Sequence, residues 1–498
     1  MRASALAFLT ALPLGICLAG PSYAGSLPDD VDQYIASGMK AWKIPGLSIA
    51  VVKDGKTVLV KGYGVIETGK PEKVDGDTIF AIGSASKAFT SAAIGTLVDS
   101  GKIKWDDHVV GHWPEFKLSD PWVTREIRVS DLMANHSGLS EISEQLWYGT
   151  DYGREELIKR LADVPITEGF RYQFQYRNLM FLAAGMLIPR VTGASWDDYV
   201  TETFFKPLQM DRTSTRLAKI KTDTNVAQPH VIDYQDNPLP IAFRNIENVG
   251  PAGSILSTAQ NMARWVTMLT TGGSFSGKSF LKPETLAFIE RSQTPVDTVG
   301  PGGQPLSPPA ELRSYALSWV TESYKGTRLV WHNGDIDGMA AWVGMAPDMK
   351  LGVVILSNLD GGKLRDALFY RIIDSYTDKP LTDLDPELLA KHRKALDNRN
   401  QQEKKWSELG SDPVKPTLPI ADYAGKYSNP AFGTVEMVLA DGQLVYERTP
   451  SAVLDLRCEK ADTFLGKTRS AADDLREGKV EIKFETEDGK VTGFSEAS

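Results

Sequence analysis

Cysteine is almost absent: the 498 residues carry two, and one of these, Cys17, lies in an N-terminal segment that reads as removable. The mature chain would keep only Cys458, which excludes an intrachain disulfide and leaves that thiol to pack in a strand. Basic runs are also missing. The formal net charge is -9, the sequence pI is near 5.4, and no stretch of five or six lysines and arginines occurs, so nucleic acid and anionic lipid are not expected partners. No apolar run reaches the roughly 20 residues of a spanning helix. The longest candidate, Ala5 to Ala19, contains Pro13 and Gly15 and is followed by Ser22-Tyr23-Ala24, an export signal with cleavage before Gly25. Ile16 before Cys17 is too bulky for a lipoprotein site. The mature protein is therefore expected to be periplasmic or secreted, with no membrane span.

Several chemical signatures are missing too. There is no G-x-S-x-G, which argues against an α/β-hydrolase with a Ser-His-Asp triad. Gly62-Tyr63-Gly64 lacks the third glycine of a dinucleotide loop. His108 and His112 have the i, i+4 spacing of a metal pair but no glutamate between them, and Gly111 and Pro114 predict a loop there. No cofactor or metal is expected, and no internal repeat is evident.

What is present is an ordinary globular composition, 42% hydrophobic and 24% charged, in a chain too long for one simple domain. Apolar spacing predicts a helix over 29–42, stopped by Pro45-Gly46. A hairpin around Asp54-Gly55 follows, then a helix from Ser84 to Gly101. A helix-rich stretch continues to about residue 270, and strands return at 328–331, 341–345 and 351–357. Strands at both ends with helices between predict an α+β body over 25–380. Residues 381–419 read as a charged linker helix ending in prolines, and 420–498 as a small antiparallel β domain with turns at Asp441-Gly442 and Asp488-Gly489.

The candidate chemistry begins at Ser84-Ala85-Ser86-Lys87, where a hydroxyl and an amine three residues apart share one helix face. A serine needs a neighbour to take its proton, and a lysine kept neutral by desolvation can do so. A helix start adds unpaired N–H groups that favour negative charge. The spacing also recurs by chance, so partners are needed. Tyr176-Arg177-Asn178 puts a phenol and an amide two residues apart, and His332-Asn333-Gly334 lies near a strand edge, where a glycine lets a substrate backbone approach. Trp147 and Tyr148 suit a cleft wall, an exposed loop or a core equally well, and His136 suits bracing of its Ser137-Gly138 turn.

In their order and setting these three elements resemble the signatures of the serine β-lactamase and penicillin-binding protein superfamily, most closely its class C-related branch of D-aminopeptidases, DD-carboxypeptidases and family VIII esterases. Pro45-Gly46-Leu47-Ser48, Leu132 to Leu139 and Gly250 to Thr258 add to the likeness, which covers roughly 29–375. It implies a β-lactamase/transpeptidase-like antiparallel sheet flanked by helices, a helical subdomain, and a C-terminal β domain of lipocalin-like type. It also implies roles: Ser84 as nucleophile, Lys87 and Tyr176 sharing the base duty, Asn178 orienting Lys87 or the substrate, and the backbone N–H groups of Ser84 and Asp335 as oxyanion hole. His332 and Gly334 would contact substrate. His332 stands where many members carry lysine. That loss argues against efficient β-lactam hydrolysis and for an ester, amide or D-amino-acid peptide substrate. Arg177 replaces a small residue and would either supply the missing charge or point to solvent, and the solvent position is the one expected. A β-lactamase or DD-carboxypeptidase, or a penicillin-binding sensor that acylates and stalls, are the alternatives; oligomeric state is not readable.

Overall fold

The computed structural model describes residues 25–297, 310–449 and 452–497. The export signal, Cys17 included, lies outside them. Helix α1, Val31–Trp42, ends with Lys43 in the left-handed region and leads into strand β1, Gly46–Lys53. A two-residue turn with φ of 51° at Asp54 and 73° at Gly55 returns the chain as β2, Lys56–Gly64. That pair of positive angles matches the twist of a tight hairpin.

The remaining strands of this sheet come more than 200 residues later: β3 (Thr294–Pro295), β4 (Leu312–Tyr315), β5 (Val320–Tyr324), β6 (Thr327–Ile336), β7 (Met339–Ala346) and β8 (Leu351–Ser357). The spatial order is β2-β1-β8-β7-β6-β5-β4-β3, antiparallel throughout. The period-two alternation of strand side chains sorts them onto two faces. Ile49, Val51, Val353 and Ile355 join the core beneath α1 and the helix Leu364–Ser375. Ala50, Val52, Val354 and Leu356 join the larger core on the other face, where the helix Ala259–Thr270 packs. Each fully buried Val, Leu or Ile contributes about 1.5–3 kcal/mol. A central strand covered on both faces is therefore apolar at nearly every position, as Leu-Gly-Val-Val-Ile-Leu-Ser in β8 shows.

Over the larger core, a 3₁₀ turn at Gly83–Ser86 runs into the helix Lys87–Asp99, and the helix Asn178–Thr192 buries Leu179 to Ile188 without a break. Among the described residues no single helix is long and apolar enough to cross a membrane. The predicted loop at 108–114 instead contains one helical turn, Val109–His112, in which His112 pairs with Asp107 at 2.8 Å. The helix forms because Trp113 N–H reaches Val109 O at 2.9 Å, so Gly111 does not interrupt it.

The charged stretch folds as one helix, Asp385–Ser411. Beyond it seven antiparallel strands follow in chain order, from Gly425–Asn429 to Lys490–Ala497, and curl barrel-like around Tyr423, Phe464, Ile482 and Phe484. Cys458 is buried in the fourth of these, Ala452–Lys460. A short helix, Ala471–Glu477, capped by Ser470 accepting from Asp473 N–H, interrupts them and escaped the sequence reading.

Candidate active site

Four distant segments converge at the start of the helix Lys87–Asp99. Ser84, in the 3₁₀ turn, is partly exposed, whereas Lys87 is fully buried. Lys87 Nζ lies 3.0 Å from Ser84 Oγ, 2.6 Å from Asn178 Oδ1 and 2.9 Å from the carbonyl oxygen of Ala252, a residue of the glycine-rich segment 250–258. Tyr176 Oη donates to Ser84 Oγ at 2.7 Å, and its ring centroid is 4.6 Å from Nζ. Serine, amine and phenol thus share one spot with direct contacts on both sides of the hydroxyl.

Burial sets the protonation states. It pulls the Lys87 amine down to about 7, against an upward pull from Glu144. It pushes the Tyr176 phenol well above the usual phenol range, with the bond to Ser84 opposing. At neutral pH the amine can therefore lose its proton and the phenol keeps its own.

Strand β6 supplies the opposite wall. It pairs with β5 only as far as Trp331, while pairing with β7 continues through Ile336. His332 to Ile336 thus has one edge free of strand partners, and the Ser84 turn packs against it. Gly83, with φ of 50°, brings its α-carbon so near that a Cβ there would lie 2.9 Å from Asp335 N. The amide nitrogens of Ser84 and Asp335 sit on the two backbones that meet at this contact. The glycine of His332-Asn333-Gly334 accommodates the serine turn, since a Cβ there would lie 1.9 Å from the Ile82 carbonyl oxygen. Arg365, 2% exposed, holds the segment by donating to Gly334 O and to Asp335 Oδ2, both at 2.8 Å.

His332 is 3% exposed. Its Nδ1 donates to Asn333 O at 2.5 Å, since a carbonyl only accepts, and its Nε2 takes the Tyr315 hydroxyl at 3.0 Å. Burial, aided by Lys87, pushes the imidazole down to about 3, so the ring is neutral and both nitrogens are occupied. Arg177 does not point to solvent as expected. It is 7% exposed, with Nε on Leu139 O at 2.8 Å, Nη1 on Tyr176 O at 2.9 Å and Nη2 on Glu168 at 3.2 Å. It ties down the loop that carries Tyr176. His136 pairs with Asp131 and Thr294, at 2.8 and 3.0 Å.

The sequence reading missed Glu144. This carboxylate accepts from Asn178 N–H at 2.8 Å, Asn178 Nδ2 at 2.6 Å and Trp147 Nε1 at 2.9 Å. No motif marks it, because Asn178 lies 34 positions further along the chain. Tyr148, next to Trp147, bonds Asp337 at 3.0 Å and Arg476 of the short C-terminal helix. The two aromatics therefore sort differently, one onto the site's carboxylate and the other onto the C-terminal module.

A profile of the family described as Beta-lactamase matches residues 31–377, and one described as a domain of unknown function, DUF3471, matches 411–497. The chain is 29% identical over 430 residues to Unguisins hydrolase ungD' of Aspergillus campestris, spanning 82% of this chain and 77% of that protein. By structure it is similar to an octameric penicillin-binding protein homologue from Pyrococcus abyssi, with a TM-score of 0.58 and 21% identity over 93% of this chain and 97% of the other. SurE gives 0.57 at 17% identity, over 94% and 96%. These likenesses carry the fold.

Proposed function

This chain belongs to the Beta-lactamase family, and from that premise we propose that it is a serine hydrolase cleaving an ester or amide through an acyl-enzyme on Ser84. The hydrogen-bond set of Lys87 carries the reading. A neutral amine has two N–H groups, and Asn178 Oδ1 and Ala252 O, which can only accept, take both. Its electron pair is left facing Ser84 Oγ at 3.0 Å, the arrangement a general base needs.

Ser84 passes its proton to Lys87 Nζ as its Oγ bonds the substrate carbonyl carbon. The developing oxyanion would sit against the N–H groups of Ser84 and Asp335, donors worth roughly 3 kcal/mol each. As the bond to the leaving group breaks, Tyr176 gives that group its proton and recovers one from Lys87. Water then adds to the acyl carbon, losing its proton to the same amine, and Ser84 leaves with a proton restored. Lys87 is the working base here, because burial favours its neutral form and disfavours the phenolate of Tyr176.

The neutral His332 supports esters, amides and peptide-type substrates over carboxylate-bearing ones. The named activity of the ungD' relative, a hydrolase, is compatible with that. Export before Gly25 belongs to the same proposal, resting on the N-terminal residues, and N-terminal sequencing of periplasmic material tests it. The decisive experiment compares wild type and Ser84→Ala on nitrophenyl esters, a chromogenic cephalosporin, D-alanyl amides and D-alanyl-D-alanine peptides, with fluorophosphonate labelling. Turnover of esters or amides and labelling, both lost in Ser84→Ala, are expected. Labelling that persists without Ser84 removes the nucleophile, and a stoichiometric burst with no steady state replaces the hydrolase by a stalled acyl-enzyme.

A further inference from the structure

We infer that Glu144 is a positioning residue for this reaction: by accepting from the side-chain Nδ2 of Asn178 as well as from its backbone N–H, it fixes which end of that amide meets Lys87 and so aims the lysine's electron pair at Ser84. The inference rests on the acyl-enzyme reading above and adds a residue to it.

A side-chain amide has two ends of nearly equal shape, and only its partners decide their order. Asn178 Nδ2 lies 2.6 Å from Glu144 Oε2, and Asn178 Oδ1 lies 2.6 Å from Lys87 Nζ. Rotating the amide by half a turn would set oxygen against carboxylate and N–H against amine. In the observed order Lys87 gives one N–H to Asn178. In the reversed order Asn178 would donate to the electron pair that Ser84 needs. Burial pushes the Glu144 carboxyl above its ordinary range, and what opposes that is geometry: three donors converge on it and none of its contacts donates from it, the pattern of an ionised carboxylate.

The groups around the Lys87 amine are Ser84, Tyr176, Asn178, Ala252 and the ring of Phe181, and Glu144 is the carboxylate whose field acts on it. His332, which also feels Lys87, is neutral. Glu144 therefore acts twice: it orients the amide, and its charge favours the protonated lysine. A plain helix cap would do neither. Glu144 does receive the first N–H of the helix Asn178–Thr192, so the two roles must be told apart.

Glu144→Gln separates them. Glutamine keeps an oxygen for the backbone N–H but must turn an N–H₂ toward Asn178 Nδ2 and Trp147 Nε1, which unfixes the amide. With a nitrophenyl ester from pH 5 to 9, kcat is expected to fall 10- to 100-fold with KM within threefold. The acid limb of kcat/KM should move to lower pH, because removing the negative charge lets Lys87 lose its proton more readily. Glu144→Asp keeps the charge, so its acid limb should stay at the wild-type position while kcat falls. A Glu144→Gln enzyme with wild-type kcat, or with reduced kcat and an unmoved acid limb, overturns the inference; so does Glu144→Asp with the limb displaced as in Glu144→Gln. If Ser84→Ala keeps turning over, the acyl-enzyme reading and this one fall together. If Ser84→Ala is inactive while Glu144→Gln behaves as wild type, only the role of Glu144 falls.

Discussion

Gly334 stands so close to Ile82 that a methyl group on its α-carbon would lie 1.9 Å from the Ile82 carbonyl oxygen and 3.2 Å from Ser84 N. Both obstacles are backbone, so neither can swing aside. Gly334→Ala should push β6 away from the serine turn and separate the amides of Ser84 and Asp335. We expect kcat/KM to fall at least about 100-fold, roughly 2.7 kcal/mol of lost transition-state stabilisation. Stability should fall by about 1–3 kcal/mol, the usual range for overpacking. Ester turnover with a denaturation midpoint checks this; wild-type turnover in a folded variant would mean the contact does not shape the site.

Lys87 is a group whose folded pKa, about 7, lies below its ordinary 10.5. Between those values the unfolded chain binds a proton that the folded chain has released, so stability rises with pH across that window. Below about pH 7 the buried lysine is charged in both states and its desolvation penalty is complete. Lys87→Met removes the titration along with the activity. The Tm difference between Lys87→Met and wild type should therefore shift progressively in favour of wild type as pH rises from about 7 to 10. A difference that stays flat over that range would show that the amine titrates normally.

The elements that set the chemistry were legible where one local rule dominated. Asp54-Gly55 dictates its turn, period-two apolar residues dictate β8, and Gly101, at φ 72°, follows the end of the serine helix. The Ser84/Lys87 pair is visible because both residues lie on one turn. Glu144, Arg365 and the Ala252 carbonyl were not, because each acts on the site through contacts that exist only after the chain has closed over more than 30 positions. Arg177 misled because its side chain folds back onto the carbonyl of its own neighbour Tyr176, onto Glu168 nine positions earlier and onto Leu139 across 38 positions, and no local pattern announces that set.

His332 should not discriminate substrates by charge. With the imidazole pushed down to about 3 by burial, no imidazolium is present between pH 5 and 9. The kcat/KM profiles of an acidic ester and a neutral ester are expected to share the same acid limb. A selective decline for the acidic ester as pH rises through 6 to 7 would restore a cationic role. The same burial works against the fold in acid: from pH 6.5 downward the unfolded chain takes a proton that the folded chain refuses, so stability falls toward pH 3. His332→Gln should flatten that acid decline.

The C-terminal module reaches the site through Arg476. Its guanidinium pairs with Asp337 at 3.0 Å and Asp360 at 3.1 Å and donates to the Tyr148 hydroxyl, while Arg244 links Asp337 to Asp473 of the same short helix. Asp337 is two residues beyond Asp335, and Tyr148 adjoins Trp147, whose indole bonds Glu144. One arginine therefore ties together the two walls that carry Asp335 and the Glu144–Asn178 pair. Arg476→Ala strands Asp360 without that partner and leaves Asp337 with Arg244; because the Arg476–Asp360 pair is only half-buried, the cost should fall below the roughly 3–5 kcal/mol of breaking a fully buried pair. The walls escape that penalty by opening to water, so we expect loosening rather than global unfolding. KM should rise about tenfold, ~1.4 kcal/mol, with kcat changed less, and hydrogen exchange should quicken over 141–150. Arg476→Lys, which keeps the charge but not the two-sided fork, should recover only part of the loss. Unchanged KM on both small and large substrates in Arg476→Ala would mean that the C-terminal module rests against the catalytic body without shaping its cleft.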